Sequence, residues 1–318
     1  MYDALIDALA ALEQRVQYAL DTGDRTGLDV LGYGDSSIVL GCTTSAGRFA
    51  CKRMPPFATA DARRAYLDQV EEYAQALRGR GVTLLDTRVY TVGETAYCVQ
   101  PRIERHAMLK HALTRRRLAT LLDIVATAIT DRIGLDADIT NWCVSGDELV
   151  LLDTNTPLLR DARHVSTADY TVFFASLPSF VRARLTPEVA AAMLEKFYSP
   201  RAVALDVLCG LIRERAGQVP YLLDEAAARF GPAITSGELR RYFVTNQTTW
   251  ALFRRLQRLQ RWWSRSMRKQ AYPFLLPPAN AFAGHLSLRA AFSASYGYRP
   301  ASLQPAADGA EPERQSDS

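Results

Sequence analysis

The spacing of apolar positions changes period several times along the chain. Residues 1–22 alternate apolar positions with Asp3, Asp7 and Glu13 at helical spacing, which predicts an amphipathic helix. Residues 28–32, 37–42 and 48–53 are short runs rich in apolar and β-branched side chains. The turn-forming sequences Gly-Tyr-Gly-Asp-Ser and Thr-Thr-Ser-Ala-Gly separate them, so three antiparallel strands are expected. A helix capped by Thr59 or Asp61 then runs to Arg78, with Tyr66, Leu67, Val70, Tyr73, Ala74 and Leu77 on one face and Gly79 and Gly81 ending it.

Strands at 82–90 and 95–100, around a Val-Gly-Glu turn, complete a unit of five strands and one helix. Helical periodicity follows over 107–132, then a short hairpin pairs 142–144 with 149–152 around Ser-Gly-Asp-Glu. Everything after Thr167 reads as helix with breaks near Pro187, Pro200, Pro220 and Pro232. The order is α+β, with an antiparallel five-stranded lobe first and a mainly helical lobe second. The expected divisions are an N-terminal helix at 1–22, a small lobe at 23–101, a helical lobe with a catalytic loop at 102–300, and a disordered polar tail at 301–318.

Composition narrows the class. With 318 residues, 48% hydrophobic and 23% charged, the chain has enough apolar material for two lobes. Its five cysteines form no Cys-x-x-Cys pair, which fits free thiols in a reducing compartment. With acids among its apolar residues and no basic start, the first helix is not expected to be a signal peptide. The longest apolar stretch, 118–129, is interrupted by Asp123 and falls short of the roughly 20 residues a bilayer needs, so a soluble cytoplasmic protein is expected.

Candidate chemistry begins with Gly32 and Gly34, which flank Tyr33 between two strands and can bring backbone N–H groups close to phosphate oxygens. Taken alone, they read more simply as a hairpin turn. Lys52 lies twenty residues after Gly32 on a strand whose neighbours Phe49 and Cys51 point to the other face. It is either turned inward toward an anion or a solvent-facing strand lysine. An inward lysine wants a carboxylate, and Glu71, on the flank of the following helix's apolar face, suits this better than Glu72. Downstream, Asp136, Asn141 and Asp153 supply the oxygen groups that phosphoryl transfer requires. One carboxylate orients an attacking hydroxyl, and two oxygen ligands at the ends of the hairpin hold Mg²⁺. An ordinary Asx-turn loop would use the same residue types.

Taken together, these residues resemble the protein kinase-like superfamily over 28–155, nearest in size to the small-molecule branch with aminoglycoside and choline kinases. The chain is also similar to uncharacterised bacterial proteins of that superfamily. The resemblance implies a two-lobe kinase-like fold that uses ATP and Mg²⁺. In it Gly32, Gly34 and Val39 match the glycine-rich loop, Lys52 the phosphate-binding lysine and Glu71 its helix partner. Asp136 matches the catalytic base and Asn141 and Asp153 the metal ligands, while residues Gln100 to Arg102 fall at the hinge that holds adenine. The departures are Ser37 for the third glycine, Leu135 where arginine usually precedes the base, and Asp138 where lysine or histidine is common. Asp153-Thr154-Asn155 replaces Asp-Phe-Gly, and no Ala-Pro-Glu closes an activation segment. Asp138 is a second candidate for the base.

The expected activity is transfer of a phosphoryl group to a hydroxyl of a small molecule. The alternatives are a pseudokinase-type nucleotide-binding scaffold without catalysis and nucleotidyl transfer. A separate feature is the stripe Arg254, Arg258, Arg261, Arg265 and Arg268 on a C-terminal helix. Residues 238–270 hold nine Arg and Lys against one acid, and Leu256, Leu259, Trp263 and Met267 form an apolar side. This is either a solvated face on a packed helix or a surface for an anionic partner.

Overall fold

The computed structural model describes residues 2–34, 37–214, 219–231 and 234–278. The tail expected at 301–318 and the break expected at Pro232 lie outside the described residues. Helix α1 (Tyr2–Thr22) precedes strands β1 (Val30–Tyr33), β2 (Ile38–Thr44) and β3 (Gly47–Arg53), and helix α2 (Ala60–Gly79) follows. Thr59 caps α2, its side chain accepting from the Ala62 N–H. Next come β4 (Thr83–Leu84), β5 (Arg88–Val92) and β6 (Thr95–Pro101), then α3 (Arg115–Ala128) and the hairpin β7 (Trp142–Ser145) and β8 (Glu148–Leu151). The remainder is helical: α4 (Ser179–Arg182), α5 (Pro187–Met193), α6 (Pro200–Arg213), α7 (Val219–Phe230) and α8 (Ser236–Ser266). The expected breaks at Pro187 and Pro200 are helix starts, where proline loses no hydrogen bond and Thr186 and Ser199 cap.

The architecture is α+β, with a five-stranded antiparallel sheet in the order β1-β2-β3-β6-β5 and a second sheet, β4-β8-β7. Two expectations are corrected. The run 82–90 is not one strand. It breaks at Leu85, whose N–H bonds the Leu151 carbonyl, so β4 pairs parallel with β8 while β5 joins the large sheet. The helix expected over 107–132 is confined to Arg115–Ala128, because residues 105–111 wind into tighter 3₁₀ turns before the cap at Thr114.

Strand periodicity gives the large sheet two different faces. Leu40, Cys42, Cys51, Tyr97 and Val99 are buried on the outer face against Leu5, Leu9, Leu12 and Val16 of α1. At about 1.5–3 kcal/mol per buried aliphatic side chain, this layer contributes substantially to holding α1 in place. The contact also contains an ion pair: Arg53 reaches both Glu13 oxygens at 2.9 Å, and Tyr97 donates to the same carboxylate. After α8 the chain returns to this outer face. Leu275 joins its core, Arg53 donates to the Pro273 carbonyl at 3.2 Å, and Arg25 donates to the Leu276 carbonyl at 2.6 Å. The inner face of the sheet, α2 and the second lobe share the larger core.

Candidate functional site

In antiparallel register, directly opposed residues share a face. Gly32, Val39, Lys52 and Cys98 therefore form one row across β1, β2, β3 and β6, on the side away from α1. Lys52 points inward, and its ammonium meets Asp153 at 2.6 Å across the gap between the two sheets. Just beyond β1, the Gly34 N–H donates to the Ser37 carbonyl at 3.0 Å. A Cβ at Gly34 would come within 2.6 Å of the Ser37 hydroxyl, which would have to rotate away. Asp35 and Ser36, at the tip, lie outside the described residues.

The β7–β8 hairpin brings its two ends together. The Leu152 N–H donates to the Asn141 carbonyl at 2.8 Å, which sets Asn141 beside the residue preceding Asp153. One Asp153 oxygen takes Lys52, and the other accepts from the N–H and side-chain amide of Asn155 at 3.0 and 3.2 Å. Burial pushes this carboxyl up, but the Lys52 ammonium and the Asn155 donors outweigh it and hold Asp153 below the ordinary carboxylate range.

Asp136 and Asp138 sit two residues apart with opposite fates. The Arg213 guanidinium contacts both Asp138 oxygens at 2.9 and 2.6 Å, and the Thr140 N–H and hydroxyl donate to one of them at 3.0 and 2.7 Å. Burial opposes ionisation of Asp138, yet Arg213 and Thr140 keep it below the usual range. The Asp136 carboxylate accepts the Asp138 N–H at 3.2 Å. Burial, with the Asp138 and Asp206 carboxylates nearby, pushes it up to about 7 against the opposing Lys196 charge. Of the two candidates for a general base, Asp136 has the ionisation suited to taking a proton near neutral pH, and Asp138 is committed to Arg213.

Sequence reasoning missed the residues that surround Asp136. Asp206, buried on α6, is held by Lys196 at 2.6 Å, the Tyr242 hydroxyl at 2.8 Å and Asn246 at 3.3 Å. The available signal was the solitary acid within the apolar run 202–212, since a lone charge in a buried helix requires partners.

Glu71 does not pair with Lys52: it is exposed on α2 and associates with Gln75 and Arg78, while Lys52 takes Asp153. The apolar face of α2 is what meets the cleft. From it Tyr66 donates to the Asn155 carbonyl at 2.8 Å, and Tyr73 donates to the Gly134 carbonyl at 2.9 Å. Two phenols thus fix the backbone on either side of the site, where a carboxylate was expected. At the expected hinge, the Arg102 N–H is used by the Arg48 carbonyl, and its guanidinium pairs with Asp29 at 2.6 Å. This pair lies against Gly41, where a Cβ would approach an Asp29 oxygen to 2.2 Å. The Gln100 side chain donates to Thr87 at 2.7 Å and to the Leu152 carbonyl, tying β6 to the segment after β8 that carries Asp153.

The oxygen groups fit a hard divalent cation. Beside Asp153 and Asn141, the side-chain oxygen of Asn155 is buried without a hydrogen-bond partner, a costly state that a cation or its bound water would relieve. Among the described residues no group of three or more His, Cys, Asp or Glu gathers as a metal site, and no helix is long and apolar enough to cross a membrane. All five cysteines are buried and none forms a disulfide.

Residues 11–261 match the model of a family described as "Family of unknown function (DUF6206)". No curated protein matches the sequence. Among solved structures, the chain is similar to the crystal structure of the Mycobacterium tuberculosis PknI kinase domain. That match has 12% identity and a TM-score of 0.32, and covers 71% of this chain and 96% of the other.

Proposed function

The chain belongs to the family of unknown function DUF6206, and we propose that it is a kinase-like phosphotransferase that uses ATP and Mg²⁺ to phosphorylate a hydroxyl of a small molecule. The observation that carries this reading is the ion pair between Lys52 of the five-stranded sheet and Asp153 at the end of the hairpin. A lysine kept inward and a carboxylate at the mouth of the same cleft are the two charges that nucleotide phosphates and their metal require. Mg²⁺, held by Asp153 and Asn141 with Asn155 near it, would neutralise phosphate charge. Lys52 binds the phosphate oxygens, and Gly32 and Gly34 let the backbone approach them. Asp136 orients the acceptor hydroxyl and takes its proton as the phosphoryl group moves, and its raised pKa suits that role.

Calorimetric titration with a non-hydrolysable ATP analogue, with and without Mg²⁺, tests the site. Metal-dependent binding that Asp153→Ala weakens supports the reading, and no binding in any condition sinks it. Asp136→Ala is expected to abolish transfer and leave nucleotide binding intact.

One observation favours a second reading, a nucleotide-binding scaffold without catalysis. Helix α2 offers Tyr66 and Tyr73 to the cleft and no carboxylate to Lys52, and Arg102 is committed at the hinge. Incubation with ATP and metabolite pools, followed by mass spectrometry, separates the two, because a scaffold yields no phosphorylated or nucleotidylated product.

A further inference from the structure

Leu239 and Phe243 bury the start of helix α8, but from Gln257 onward the helix is packed contrary to its residue types. Its buried side includes Gln257, which donates to the Ser176 hydroxyl at 2.9 Å, and Ser264. Leu252, Leu259, Trp262, Trp263 and Met267 meanwhile stand between 43% and 58% exposed. Of the apolar side expected from the sequence, only Leu256 packs against the core. At about 100° per residue, Leu252, Leu259, Trp263 and Met267 share a sector about 80° wide, and Arg255, Trp262 and Arg258 fill the next. The stripe runs for about 22 Å at 1.5 Å per residue. Arg255, Arg258, Arg268 and Lys269 are exposed, and among the described residues none pairs with a carboxylate. The sequence has no acid between Glu238 and Asp308.

We infer that this face of α8 is a docking surface for an anionic lipid membrane, with the helix lying in the plane of the interface. Leucine, methionine and tryptophan side chains enter the boundary between headgroups and acyl chains, and the flanking arginines meet lipid phosphates. Charge and shape together favour this occupant. A second copy of the chain would set two uncompensated basic flanks against each other. A nucleic acid would satisfy the arginines and stack on the tryptophans, but would leave Leu252, Leu259 and Met267 in water.

Sedimentation of the full chain with vesicles of phosphatidylcholine, alone or mixed with phosphatidylserine, tests the proposal. Binding is expected to rise at least about tenfold with phosphatidylserine, and Arg255→Glu with Arg258→Glu to reverse that gain. Trp262→Ala with Trp263→Ala is expected to lower binding comparably and to remove the blue shift of tryptophan emission on vesicle addition. All four side chains are exposed, so both double variants should melt like the parent by circular dichroism. Equal uptake on both vesicle types, or binding retained in both variants, overturns the proposal. So does vesicle binding that appears only after residues 279–318 are removed. Oligonucleotide binding or concentration-dependent dimerisation without vesicle binding would identify the other occupants and reject this one.

Discussion

Lys52 and Asp153, separated by 101 residues in sequence, meet at 2.6 Å and form a direct charged link between the five-stranded sheet and the β7–β8 hairpin. Each partner retains some exposure, at 18% and 32% of its side chain, so the pair is accessible to a phosphate or a metal without unfolding.

That pair should behave as a coupled unit. Lys52→Met and Asp153→Asn are each expected to cost about 1–3 kcal/mol, since each leaves a partly buried group unsatisfied. The double variant should cost less than the sum of the two, as a urea-unfolding double-mutant cycle would measure. Strict additivity would show that the contact contributes nothing to the fold.

The raised ionisation of Asp136 gives a signed pH dependence. Burial pushes its pKa up to about 7, well above the ordinary carboxylate range, so the folded state holds the proton more tightly. The associated stability is complete below about pH 4 and is lost as pH rises toward 7. Comparing urea midpoints of the parent and Asp136→Asn across that window should isolate the decline to the parent. If Asp136 acts as the base, turnover should climb over the same range.

Glu71 and Tyr66 should exchange the importance that sequence alone assigns them. Glu71→Ala is expected to change nucleotide affinity by less than about twofold, because its side chain faces solvent. Tyr66→Phe strips the hydrogen bond from the buried Asn155 carbonyl and should cost about 1–3 kcal/mol while loosening the loop at Asp153. Calorimetry and thermal melts of the two variants provide the comparison.

The buried pair on the outer face should dominate acid sensitivity. Glu13→Gln is expected to destabilise by about 3–5 kcal/mol by leaving Arg53 without its counter-charge. Burial pushes the Glu13 carboxyl up, but Arg53, Tyr97 and Gln17 hold it below the ordinary value. Its stabilisation is therefore present above about pH 4.3 and disappears as pH falls through the folded pKa. The parent's urea midpoint should drop in that acidic range, and that of the variant should not.

The residues legible in the sequence were those fixed by local pattern. Period-two alternation turned Lys52 away from Cys51, Thr59 capped α2, and the Ser-Gly-Asp-Glu turn closed the hairpin that aligns Asn141 with Asp153. What escaped depends on long-range partners. The choice between Glu71 and Glu72 assumed that a cation needs a helix carboxylate, but Lys52 found one across the cleft instead. The pairing of Asp138 with Arg213, 75 residues away, leaves no local trace, and neither does the departure of β4 to pair with β8. On α8 the apolar spacing was visible, but it did not reveal that Gln257 is buried against Ser176 while Leu259, Trp263 and Met267 stay exposed.

The returning segment at Pro273–Leu276 also sets a schedule for synthesis. Its bonds to Arg53 and Arg25 span 220 and 251 residues, so the outer side of the first sheet cannot be completed until nearly all the described chain has been made. At ordinary elongation speeds that wait is roughly ten to fifty seconds. Throughout it, the nascent sheet must rely on α1 alone for cover, and the slot that Leu275 will fill stays open to whatever else is within reach of the ribosome.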